Sequence, residues 1–162
     1  MIKRKSLFAA AVIAAGLAFA TSGADANTFS PQDVQKISNL VEKTLNLMGD
    51  MVETGKHSRS DVRECLAGLN DRLNIVYPNL FELVKLIQIS TMMVNSKDES
   101  IVKQQIDLSL KSNLEFVRVS RQSVNAITGI CGMVAIVTTK AQSILYLLTE
   151  IESTLRALPR LS

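Results

Sequence analysis

The sequence predicts an all-α fold, an antiparallel up-down four-helix bundle, on three observations. Four amphipathic segments follow one another with short connections, which is typical of such bundles. The chain has only 7 Gly and 3 Pro in 162 residues, too few for a turn-dense all-β fold. Its two cysteines, Cys65 and Cys131, fall at the same end of a four-helix arrangement, where a disulfide between them is feasible.

The first 26 residues are predicted to be a cleaved signal peptide. Basic residues at positions 3–5 precede an uncharged apolar run over residues 7–20, and Ala24 and Ala26 then form the small-x-small pattern that signal peptidase cleaves. The apolar run has 14 residues, too few to cross about 30 Å of hydrocarbon as a helix. We therefore expect removal of the leader rather than membrane anchoring.

Cleavage between Ala26 and Asn27 would leave residues 27–162 as a single helical-bundle domain, periplasmic or secreted. The leader holds three of the 18 basic residues and one of the 15 acidic residues, so the net charge of the mature chain is close to zero. This balance gives no reason to expect nucleic acid as a partner, and no transmembrane segment is expected in the mature chain.

Export also favours a disulfide between Cys65 and Cys131, because cysteine pairs of exported proteins are usually bonded. The alternative is two unrelated buried thiols.

The first helix is expected to begin at Ser30, with Pro31 at its first position and Asp33 in its first turn, and to end near Gly55. Apolar and small residues then recur every three or four positions, as on one face of a helix. This predicted inward face consists of Val34, Ile37, Val41, Thr44, Met48 and Met51.

The second helix is predicted over residues 59–94, opened by Ser58 and Asp61 and kinked near Pro78. Its apolar register continues straight through the proline, which favours a kink over a reversal. The predicted inward residues are Val62, Leu66, Leu69, Leu73, Val76, Leu80, Leu83, Ile87 and Val94. A tight turn at Pro78, and hence five helices, remains the alternative; it would place the cysteines at opposite ends.

The third and fourth helices are separated by Gly129 and Gly132. A capping box from Ser96 to Glu99 is expected to start the third helix, and Pro159 to stop the fourth. The inward face of the third helix consists of Val102, Ile106, Leu110, Asn113, Val117, Ser120, Val124 and Ile127. That of the fourth consists of Val134, Val137, Ala141, Ile144, Leu148, Ile151, Leu155 and Leu158.

Groups that could carry chemistry are few, and neither an enzyme nor a cofactor is expected. His57 is the only histidine, and we interpret it as a solvated loop residue rather than a metal ligand. No G-x-S-x-G or S-x-x-K pattern activates a serine.

Residues 122–139 contain no charge. Burial at the closed end of the bundle is the favoured interpretation, and a contact surface for another chain is the alternative. The outer face of the fourth helix is polar but uncharged, as interfaces often are. The candidate interface residues are Thr138, Gln142, Tyr146, Thr149 and Ser153.

These observations suggest a non-enzymatic exported protein that binds another protein of the cell envelope, as an inhibitor, adaptor or chaperone-like factor. The sequence is also compatible with a homo-oligomer. The alternative is a small-ligand carrier that uses the bundle interior, with Thr44, Asn113 and Ser120 lining a cavity.

The leader supplies a direct test. N-terminal sequencing of the protein recovered from the cell envelope should begin at Asn27, because the cleavage pattern ends at Ala26. Recovery of a cytoplasmic chain that retains Met1 would contradict export.

Overall fold

A computed structural model describes residues 29–93, 97–132 and 134–161. Four helices account for most of these ranges, and no strand occurs within them. The helices are α1 (Pro31–Lys56), α2 (Ser60–Met92), α3 (Glu99–Cys131) and α4 (Ala135–Ala157). The predicted all-α four-helix fold is confirmed. The expected signal peptide, with Ala24, Ala26 and Asn27, lies outside the described residues.

The helices form a closed ring in which sequence neighbours are also spatial neighbours. α2 packs against α1 and α3, α3 packs against α4, and α4 returns to α1. Two ion pairs show that α1 and α4 are antiparallel: Lys43 contacts Glu150, and Asp50 contacts Lys140. Residue numbers rise along α1 while those of its partners fall along α4, as the up-down topology requires.

The start of α1 follows the sequence prediction closely. The Ser30 hydroxyl accepts a hydrogen bond from the Asp33 amide at 3.2 Å, and the Asp33 carboxylate accepts one from the Ser30 amide at 3.1 Å. This reciprocal capping box satisfies two backbone donors that the first turn leaves without helical partners.

The starts of α2 and α3 differ from prediction. Arg59, not Ser58, is the N-cap of α2, because the Ser58 hydroxyl donates backwards to the Thr54 carbonyl at 2.8 Å. The N-cap of α3 is Asp98, and it makes no side-chain capping bond. Ser96, the predicted cap, lies outside the described residues.

Pro78 lies inside a single continuous helix, so the five-helix alternative is wrong. Proline supplies no amide donor, and its ring disturbs the carbonyls of the preceding turn. The carbonyl deprived of its helical donor is that of Asn74, and the Asn79 side chain donates to the neighbouring Ile75 carbonyl at 2.6 Å. Val76 and Leu80 are fully buried on either side of the proline, so packing holds both halves of α2 in one apolar register.

The core is aliphatic and follows the predicted inward faces. All the predicted core residues within the described ranges are buried except four half-buried ones, Val41, Met48, Ile127 and Val134. Val94 lies outside the described residues.

The polar residues of the inward face of α3 bond to the backbone of α2. Asn113 Nδ2 lies 3.3 Å from the Asn79 carbonyl, and one heptad later the Ser120 hydroxyl lies 3.4 Å from the Arg72 carbonyl. Residue numbers fall along α2 from the first contact to the second while they rise along α3. The two contacts therefore match an antiparallel pair of helices and fix their register. Asn113 Nδ2 also donates to the Ser109 carbonyl at 2.9 Å, while Asn113 Oδ1 is buried without a hydrogen-bond partner.

A disulfide joins Cys65 near the start of α2 to Cys131 at the end of α3, with 6.2 Å between the Cα atoms. It ties these two helices at the end of the bundle opposite the α2–α3 turn. Both cysteines are half-buried and pack against the core.

Replacing both Cys65 and Cys131 by Ala should lower the free energy of unfolding by about 2–5 kcal/mol, since the cross-link restricts the unfolded chain. Urea denaturation measures the change. The far-UV circular dichroism spectrum should stay helical, because the aliphatic core is untouched. Two freely alkylated thiols in the native, non-reduced protein would contradict the bridge.

Asn113→Asp should destabilise the protein by about 3 kcal/mol at neutral pH, because two carbonyl oxygens would repel a buried carboxylate and the Ser109 hydroxyl, 3.4 Å from Asn113 Nδ2, offers it a single neutral donor. Burial raises the pKa of the introduced carboxyl, so the loss should shrink as the pH falls below that pKa. The matched variant Asn113→Leu removes the unpartnered oxygen and should change stability by less than about 1 kcal/mol. Urea denaturation of both variants at neutral pH and at an acidic pH measures these changes. Equal loss of stability in Asn113→Asp and Asn113→Leu at neutral pH would refute the explanation.

Candidate functional site

The hairpin formed by α3 and α4 is almost free of charge at the disulfide end. From Gln122 to Thr149 the only charged residue is Lys140, and its ammonium group contacts Asp50 on α1. The facing hairpin of α1 and α2 differs sharply, with eleven charged residues from Glu42 to Arg72 inclusive. At the disulfide end of the bundle, the charged residues are therefore concentrated on the α1–α2 hairpin.

Arg121 links α3 to α4 at the solvent edge of their contact. Its guanidinium group contacts the Glu152 carboxylate at 2.8 Å and the Thr149 hydroxyl at 3.4 Å. Hydrogen bonds from Arg156 first, and then from Arg121, hold the pKa of Glu152 below its ordinary value. The carboxylate therefore keeps its charge, and its ion pair with Arg121, at a more acidic pH than an ordinary glutamate would.

Beyond Arg121, the exposed positions of both helices at this end are occupied by uncharged residues. We call this surface the uncharged face. Its members share half-buried or exposed positions on the hairpin, and they are Gln122, Asn125, Gly129 and Ile130 of α3 with Thr138, Gln142, Tyr146 and Thr149 of α4. Its two largest side chains project into solvent, Ile130 at 84 % exposure and Tyr146 at 75 %.

The candidate interface residues predicted on α4 lie at its outer surface. Gln142, Tyr146, Thr149 and Ser153 are exposed, and Thr138 is half-buried. The hydroxyls of the threonines and the serine bond to carbonyls of their own helix, as the 2.9 Å contact from Thr149 to Leu145 illustrates. Four of the five residues join the uncharged face, while Ser153 lies further along α4, past Thr149.

Burial of residues 122–139, the favoured interpretation from sequence, is wrong for most of the segment. Only Val124 and Val137 are buried among its described residues. Ile130 was the functional candidate that sequence reasoning missed. Its position, outside the inward register of Val117, Val124 and Ile127, is the signal that could have found it.

His57 caps the end of α1 and is exposed to solvent. Its Nε2 atom lies 3.3 Å from Glu53 Oε1, and the pKa of Glu53 is lowered by a hydrogen bond from Lys56 and then by one from His57. Two other nearby carboxylates have their own cationic partners, since Asp50 contacts Lys140 and Asp61 contacts Arg59.

A groove of about 450 Å³ lies between the end of α1 and the start of α2. Met51, Gly55 and Ala67 are among its apolar lining residues, and Arg63 and Asp71 add charge. Arg63 already bonds to the Gly55 carbonyl at 3.1 Å and to the Ser58 carbonyl at 3.2 Å, so it closes the α1–α2 turn.

The residues that suggested a ligand cavity lie elsewhere. Thr44, Asn113 and Ser120 bond to backbone carbonyls, and none of them lines the α1–α2 groove or the smaller pocket at the start of α3.

Among the described residues, no group of three or more His, Cys, Asp and Glu side chains is placed to hold a metal ion. Within the same parts of the chain, no helix combines the length and apolar character needed to cross a bilayer. Comparison with protein-family models, with curated proteins and with solved structures finds no match to this chain.

Proposed function

We propose that this chain is an exported, non-enzymatic protein that acts by binding another protein of the cell envelope through the uncharged face. The observation that carries the proposal is the exposure of Ile130 and Tyr146 at the end of a hairpin whose one charge between Gln122 and Thr149, Lys140, is directed to α1. The centres of protein interfaces are depleted in charged residues and enriched in aromatic ones, and tyrosine is frequent among the residues that dominate binding energy.

Export supports the same proposal. The predicted leader sends the chain to a compartment in which disulfides persist, and Cys65 and Cys131 are joined in the fold. The disulfide ends at the base of the uncharged face, since Cys131 is the last residue of α3 and directly follows Ile130. The bridge fixes this end of α3 to α2, and a restrained α3 end reduces the entropy lost on binding.

An inhibitor, adaptor or chaperone-like role would each use a surface of this kind. Small-ligand carriage, the alternative function, has weaker support, because the polar residues that suggested it are engaged with backbone carbonyls. The α1–α2 groove is a separate surface site and does not lie in the bundle interior.

Tyr146→Asp should abolish partner capture, because it places a charge at the centre of the uncharged face and removes its only aromatic anchor. The measurement is affinity capture of the mature protein from its native envelope, with quantitative mass spectrometry of what co-purifies. A photoreactive amino acid at position 146 should cross-link to the same protein.

Leu45→Asp is the matched control, because Leu45 is an exposed apolar residue on α1, outside the uncharged face. It should retain the captured protein in full. Equal capture by both variants, or no protein that depends on Tyr146, would refute the proposed site.

A further inference from the structure

The solvent side of α3 carries a straight row of exposed apolar residues. Ile101, Leu108 and Val119 are 52 %, 63 % and 41 % exposed, and Ala126 is also exposed. Successive members are separated by 7, 11 and 7 residues. These separations correspond to about two, three and two helical turns, so the four side chains line up along one edge of the helix. We call these four residues the α3 row.

None of the described residues outside α3 covers the α3 row. α3 packs against α2 and α4, and the row faces away from both. The residues interspersed along it, Gln105, Ser112 and Gln122, are polar and uncharged. Glu115 is the one charged residue close to its line, and Lys111 and Arg118 lie at its edge.

The spacing of these four residues is symmetric about residues 113 and 114, because 7, 11 and 7 read the same in both directions. A second copy of α3, turned antiparallel about a two-fold axis level with residues 113 and 114, would therefore meet apolar residues with apolar residues. Leu108 would face Val119 of the second copy, and Ile101 would face Ala126 of the second copy. Two-fold interfaces have this self-complementary form, in which each contact occurs twice. Ile130 continues the same line four residues past Ala126, and its counterpart across the axis is Lys97.

The charges beside the row favour the same orientation. Lys111 and Glu115 lie on the same side of the row, one turn apart. Glu115 bonds to Arg118 at 2.9 Å, and Lys111 takes part in none of the ion pairs found in the described residues. In the antiparallel arrangement Lys111 lies opposite Glu115 of the second copy, on both sides of the axis. A parallel arrangement would instead place Glu115 opposite its own copy.

We propose that the chain self-associates through the α3 row as a two-fold symmetric dimer with antiparallel α3 helices. The occupant of this face is a second copy of the chain, because the row is complementary to itself in both apolar spacing and charge. The row adjoins the uncharged face at Gln122 and Ile130, whereas Tyr146, the residue that tests the uncharged face, lies on α4 outside the row.

Cysteine cross-linking tests the orientation directly. Leu108→Cys and Val119→Cys are made separately in the full exported chain, in which the native cysteines are already bonded. Under mild oxidation each variant alone should remain uncross-linked, because its cysteine lies about 16 Å along the axis from its own copy. An equimolar mixture of the two should form a species of twice the chain mass.

Cross-linking of the single variants but not of the mixture would overturn the antiparallel orientation. Absence of any cross-linked species would overturn the dimer itself. Far-UV circular dichroism on each variant verifies that the compared proteins are folded.

Sedimentation equilibrium tests the energetics with matched variants. Val119→Glu should weaken dimerisation at least about ten-fold, since interface centres exclude unpaired charge. Ile89→Glu on α2 should leave it unchanged, although Ile89 is 42 % exposed against 41 % for Val119. Lys111→Glu should weaken dimerisation, and the exchanged pair Lys111→Glu with Glu115→Lys should restore it. Equal behaviour of Val119→Glu and Ile89→Glu, or no rescue by the exchanged pair, would overturn the proposal.

Discussion

The antiparallel contact between α2 and α3 is the constraint on which the rest of the bundle depends. Both helices have 33 residues, and they are joined by a short turn at one end and by the Cys65–Cys131 bridge at the other. Between these ties, Asn113 and Ser120 bond to carbonyls of α2. Two helices fixed at both ends and matched in the middle leave little freedom for rotation, so the outward side of α3 is well defined.

The two hairpins also differ in where their charged residues lie. Ion pairs link α1 to α4 through Lys43 and Lys140, and Arg121 links α3 to α4. These contacts lie at the seams between helices, and exposed pairs of this kind contribute little stability individually. Their larger effect is on which residues reach the outer surface, because Lys140, the one charge of the α3–α4 end, is directed to the contact between α1 and α4. The remaining outer surface of that end is left to uncharged residues.

Pro78 illustrates why apolar periodicity was a better guide than residue propensity. A proline inside a helix costs about 3 kcal/mol or more in isolation. Here the neighbouring apolar side chains, Val76 and Leu80, are fully buried in the shared core, and burial of each contributes about 1.5–3 kcal/mol. Packing therefore offsets the local penalty. The helix starts were harder to predict, because a serine such as Ser58 can bond backwards to the preceding helix as readily as it can cap the next one.

The sequence by itself determined the four helices, their inward faces and the pairing of two cysteines at one end. These features follow from local periodicity and from the topology that short connections impose. Tertiary structure alone decided that Asn113 meets a carbonyl of α2 and that Ile130 and Tyr146 project from one hairpin end. The reason is physical: periodicity identifies which side of a helix is apolar, whereas the residues of different helices that share a surface depend on rotation and register. Packing of the shared core and the ties between α2 and α3 set both, and contacts such as those of Arg121 agree with the result.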